Sequence, residues 1–176
     1  MAPGEAGRAV ADQVCDPATV RSLATPERAV RVIGGLIGDR VTFGPVPAGP
    51  HDMATAYAEG AVGRLTARRE GDQLVVVRVP VSLDLTVVIG TRKIPADVEL
   101  LVRVGLVARA APDAVEIDVE PVRYSDIDAD IRTSGVGGVF LRRLGDLDNE
   151  VRHHVGVYVS TVLATPEAVA ECRIPL

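Results

Sequence analysis

Residues 139–163 read VFLRRLGDLDNEVRHHVGVYVSTVL, and their period decides the fold. Phe140, Leu144, Leu147, Val151, Val155, Tyr158, Val159 and Val162 recur at steps of mostly three and four, the spacing of one apolar face on an α-helix. Arg142, Arg143, Asp146, Asp148, Glu150 and Arg152 occupy the other side. At about 1.5 Å per residue the stretch makes a rod of roughly 37 Å. Intrinsic helical preference does not hold such a rod in water, so it needs an apolar surface along its length.

The chain upstream supplies one. From Gln73 to Ile89, Val75, Val77, Val79, Val81, Leu83, Leu85 and Val87 alternate onto one face, with Pro80 on the other predicting a bulge or an edge position. Gly90-Thr91 turns the chain, and Lys93 to Ala108 returns with Ile94, Ala96, Val98, Leu100, Val102, Val104 and Leu106. Two shorter runs, 114–120 and 126–132, alternate Val and Ile against Glu and Asp, with Pro121 between them. Strands about three times the usual length must coil or bend. The prediction is an α+β fold: a long, strongly curved antiparallel sheet wrapped around a long C-terminal helix, with an N-terminal helix. Leu144, Val151, Val155 and Val162 of the helix are expected to pack on Val77, Leu83, Val98 and Val102.

The flanks read less sharply. Residues 1–15 are expected to form a loose arm. Asp16-Pro17 and Thr25-Pro26 each pair an N-cap with a first helical residue, so a helix over roughly 17–38 is broken near Pro26. Arg40 to Val46 is a short strand, 53–60 a loop or one helical turn, and 60–69 a strand into the Glu70-Gly71-Asp72 turn. Ser134 to Gly138 is a flexible joint into the long helix. Thr165-Pro166 opens a candidate short helix, and the register of the closing CRIPL is not readable.

Composition narrows the class. A chain of 176 residues with 47% hydrophobic and 24% charged residues folds as one domain spanning 1–176. Aromatic content of 3%, no Trp and a net charge of -5 argue against stacking on bases or holding phosphates, so no nucleic-acid partner is expected. No apolar run is long enough for a transmembrane segment, and the N-terminus lacks a charged start before an apolar block, so a cytoplasmic protein is expected. Cys15 and Cys172 cannot build a disulfide framework. The Ala, Arg, Val and Gly usage looks bacterial. A homodimer is compatible with all of this.

Candidate chemistry is sparse. Asp126, Asp128 and Asp130 share one strand face and could offer oxygens to a hard cation. An EF-hand loop fails, however, because Ile131 stands where Gly is needed and Gly137 where Glu is needed, so the run reads as a solvated face. Glu150 with His153 is half a di-iron pair whose second half is missing. No metal and no cofactor is expected. Gly135-x-Gly137-Gly138 lacks the Lys-Ser/Thr of a phosphate loop and reads as a hinge. Asp84 and Arg78 interrupt an apolar strand, predicting a cross-strand pair of Asp84 with Arg103 or Arg64.

The strand runs 73–89, 93–108, 114–120 and 126–132, the glycine joint and the helix 139–163 together resemble the tubular lipid-binding (TULIP) superfamily, with its BPI-like and SMP-like domains. The resemblance lies in element order and length over about residues 60–163. It implies a curved sheet around a long helix and a hydrophobic tunnel that holds lipid. The START-like helix-grip fold, which includes bacterial polyketide cyclases, is similar too, but its strands are shorter. The expected function is binding of a hydrophobic small molecule or lipid in an apolar tunnel, lined by Val77, Leu83, Val98, Val102, Leu144, Val151, Val155 and Tyr158. The alternative is a cyclase of a polyketide-like substrate in the same cavity, with Tyr124, Asp84, His154 and Tyr158 handling protons. Of the two histidines, His154 lies nearer the apolar stripe and is the one expected to touch a cavity. A third reading, an interaction protein with a filled core, is open at this point.

Overall fold

The computed structural model describes residues 16–133, 135, 137, 139, 141 and 147–176. Among these the chain runs α1 (Pro17–Leu23), α2 (Pro26–Ile37), β1 (Arg40–Ala48), β2 (Ala54–Val62), β3 (Thr66–Arg69), β4 (Leu74–Ile89), β5 (Arg92–Ala110), β6 (Ala114–Val119), β7 (Ile127–Thr133), α3 (Leu147–Leu163), α4 (Pro166–Glu171) and β8 (Arg173–Pro175). The eight strands form one antiparallel sheet in the order β1-β2-β4-β5-β6-β8, with β3 also on β4 and β7 also on β5.

The β4–β5 hairpin is the spine. Its strands of 16 and 19 residues pair from Leu74↔Val107 to Ile89↔Arg92. Gly90 takes φ 58 at the turn, a left-handed value that glycine adopts without strain. Each long strand carries two short neighbours end to end, β2 and β3 on β4, and β7 and β6 on β5. A twisted pair this long cannot stay flat, and the sheet curls into a half-barrel. Pro80 sits where β2 gives way to β3. The Gly63 N–H donates to the Pro80 carbonyl at 2.8 Å. The N and C=O of a strand residue point the same way, so Pro80 has no N–H to return to Gly63 and the ladder carries one bond fewer where β2 ends.

Alternation then sorts the faces. Val75 through Val87 at odd positions and Ile94 through Ala108 at even positions are all buried on the concave side. Against them lie Ala29, Ile33 and Ile37 of α2 and Val151, Val155, Val159 and Leu163 of α3. Asp16, Thr25 and Thr165 cap α1, α2 and α4 with their side-chain oxygens, each followed by proline, as the sequence predicts. A smaller cluster of Val20, Ala24, Ala108, Val115 and Ile174 closes the far end of β5.

Several expectations change. Residues 54–62 are a strand, not a loop or a helical turn: Ala54, Ala56 and Ala58 point inward, and alanine's weak strand preference hid the alternation. The CRIPL tail supplies β8, with Ile174 opposite Val115; three residues are too few to show a period. The helix expected over 139–163 is described as a continuous helix of 17 residues, Leu147–Leu163. Residues 140 and 142–146, Leu144 among them, lie outside the described residues.

The convex face corrects the electrostatics. Asp84 stands opposite Asp97 on one side and Glu59 on the other, while Arg78 faces Arg103. The expected pair of Asp84 with Arg103 or Arg64 does not form, because the apolar face and the turn set the register and the outer charges follow it. Arg103 instead donates to the Ser125 carbonyl at 2.6 Å. Like charges directly across a sheet are destabilising. Asp84→Lys places a cation between two carboxylates and should raise stability by about 0.5–1 kcal/mol in urea unfolding. A loss of stability would mean that this register is wrong.

Candidate functional site

α3 presents more than its core stripe. Arg152, His153, Gly156, Val157, Ser160, Thr161 and Ala164 lie on a flank facing the segment that links β6 to β7. That segment leaves the sheet at Glu120-Pro121 and returns through a 3-10 turn at Tyr124–Asp126. Between it and α3 run two adjoining cavities of about 550 and 670 Å3, which share Val122, Ser160 and Ala164. Together they make one groove. Val119, Val122, Ile127 and Leu163 give it an apolar floor, and the exposed Val157 and Val169 extend its apolar walls. Small residues at 156, 160 and 164, one helical turn apart, keep it open. A Cβ on Gly156 would stand 3.4 Å from Ile127 Cδ1.

The groove is charged differently at its two ends. At one end Arg123, Arg152 and His153 line it beside Tyr124. The Arg152 guanidinium lies 4.8 Å from the Tyr124 ring centroid and its Nε is 3.1 Å from Asp148. The Tyr124 hydroxyl bonds Asn149 Oδ1 and lies 3.4 Å from Asp148 Oδ2. At the other end Glu116, Asp118 and Glu120 line it with Arg173 and Cys172. Burial pushes the Cys172 thiol up, with Glu171 and Asp118 adding to the effect, which makes it a poor nucleophile at neutral pH.

The residues expected to line a tunnel lie elsewhere. Val77, Leu83, Val98, Val102, Val151 and Val155 do come together, at 0–5% exposure in one cluster, and Tyr158 packs against them half-buried. None of them lines the groove. Substitutions such as Val102→Phe or Ala108→Phe would therefore overpack buried positions. Of the proton-handling candidates Tyr124 lines the groove, whereas Asp84 is on the convex face. His153, not His154, faces the groove, because it falls one step further from the Val151–Val155 stripe. The two imidazoles stand edge to face with centroids 5.6 Å apart.

The three aspartates are employed separately. Asp126 belongs to the 3-10 turn, where it accepts the Arg123 N–H at 2.8 Å. Asp128 lies 3.9 Å from Arg103, and Asp130 is bound by Arg132 at 2.8 Å.

No protein-family model matches this chain, and no curated protein matches it by sequence. No helix among the described residues is long and apolar enough to cross a membrane.

Arg123, Arg152, His153, Gly156 and Ser160, which line the groove, are not among the lining residues expected from the sequence. A signal existed: Gly156, Ser160 and Ala164 recur every four residues beside the apolar stripe, and Pro121 interrupts the strand run that faces them.

Proposed function

We propose that the protein binds a hydrophobic small molecule or lipid-like chain in the groove between α3 and the β6–β7 segment. The single observation behind this is the pair of adjoining cavities floored by Val119, Val122, Ile127 and Leu163. Each methylene taken from water contributes about 0.8 kcal/mol when fully buried, so an aliphatic channel gains affinity without directional bonds. This keeps the ligand at the helix–sheet boundary expected of a tubular lipid-binding protein. It moves the ligand from the interior to the edge, where the strand run is broken. The reading makes the sheet a scaffold and the helix a wall.

A fluorescent long-chain alcohol should bind the purified protein saturably at micromolar concentration, with a blue shift as the probe leaves water. Binding that never saturates, or none, would end the reading.

Tyr124 favours a second reading, cyclisation of a polyketide-like chain, because its hydroxyl stands at the groove next to Asp148 and Asn149. In that case Tyr124→Phe abolishes turnover of a linear polyketide and leaves its binding intact.

A further inference from the structure

We propose that the occupant of this groove is a long-chain amphiphile with a single anionic head. Its head sits at Arg123 and Arg152, and its tail runs past Val122 and Ser160 toward Leu163. The inference rests on the groove being the binding site and adds the class and direction of the ligand.

Charge at the two ends carries it. The charged side chains lining the Tyr124 end are Arg123 and Arg152, with the His153 imidazole beside them. Among the described residues two carboxylates stand near that end: Asp126 accepts the Arg123 backbone N–H, and Asp148 lies 3.1 Å from Arg152 Nε. A guanidinium has five N–H donors in a fork, so one contact with Asp148 leaves the outer nitrogens for a second anion. Stacking on Tyr124 at 4.8 Å holds that fork in place. The far end has the opposite character, with Glu116, Asp118 and Glu120 in the lining. Arg173 reaches Glu116 at 3.9 Å and Arg109 reaches Asp118 at 2.7 Å, which offsets part of that charge. An anionic head is repelled from that end and drawn to the other. Between the ends, Arg152 to Leu163 spans about 16 Å of helix at about 1.5 Å per residue, room for an extended alkyl chain.

The head group is tested by holding the tail constant. Dodecanoate, dodecanol and dodecylamine would each compete with the fluorescent alcohol on the full chain at low ionic strength. Dodecanoate should displace it at a concentration about tenfold or more below dodecanol, the order expected of one charge-assisted hydrogen bond. Dodecylamine should bind more weakly than dodecanoate, and added salt should shrink the carboxylate's advantage. Arg123→Gln with Arg152→Gln should erase the advantage and leave dodecanol unchanged. Because Arg152 also holds Asp148 and Tyr124, Arg123→Gln alone serves if the double variant fails to fold, and should erase part of it. Equal binding of dodecanoate and dodecanol, a preference for the amine, or a carboxylate preference undiminished by Arg123→Gln overturns the inference while the groove stands. If no dodecyl probe competes, the groove reading falls and the inference with it.

Discussion

Val155→Asp is expected to unfold the protein or leave it barely folded. Val155 is 4% exposed at the middle of α3, between the buried Val151 and Val159, in the cluster that holds Val77, Val98 and Val102. An aspartate there is surrounded by aliphatic side chains, with no cation among the described buried residues to pair with it. An uncompensated buried charge costs about 3–5 kcal/mol, much of the 5–15 kcal/mol that holds an average domain together. Thermal or urea unfolding followed by circular dichroism should show a large fall in midpoint. His153→Asp, two residues away and exposed, should change stability by no more than about 0.5 kcal/mol. If both substitutions were equally mild, α3 would not be packed on the sheet.

Gly156→Leu is expected to separate binding from folding. Glycine inside a helix costs about 1 kcal/mol relative to alanine, so a side chain at 156 improves helical preference. Its Cβ would lie 3.4 Å from Ile127 Cδ1, a contact that Ile127 can accommodate with a small shift. The rest of a leucine then extends into the groove lined by Val122 and Ser160. Melting temperature should hold or rise, and affinity for the fluorescent alcohol should fall at least about tenfold, the loss of roughly 1.4 kcal/mol of contact. Gly156→Ala, which adds only the Cβ, should gain stability and keep most of the affinity. Unchanged binding by Gly156→Leu would remove the groove as the site.

What could be read from the chain follows from how local each signal is. The β4–β5 hairpin was legible because one face is buried along its whole length, so the alternation from Val75 to Leu106 is unbroken. The helix starts at Pro17, Pro26 and Pro166 were legible because capping is chemistry between near neighbours. β2 was hidden by alanines, and β8 by its length of three residues. The pairing of Asp84 with Asp97 was knowable only once the register was fixed.

The site was harder for a different reason. A helical period identifies the face that is buried, and here that face, Val151, Val155 and Val159, packs on the sheet core. The groove is built by the next face round, where polar and small residues carry no period of their own. Pro121 marks a break in the strand run, but that the break lies beside Gly156 and Ser160 depends on how the sheet curls. Charged and small residues on a helix flank read as solvated surface until the opposing segment is in place.

A crystal structure grown with a terminally brominated long-chain alcohol distinguishes an aliphatic chain in the groove beside α3 from one inside the sheet. Anomalous scattering locates the bromine without interpretation of weak chain density. A single peak is expected in the groove, within contact of Val119, Val122 or Leu163. A peak between α3 and the sheet, against Val77, Val102 or Val155, would contradict it and return the ligand to an interior tunnel.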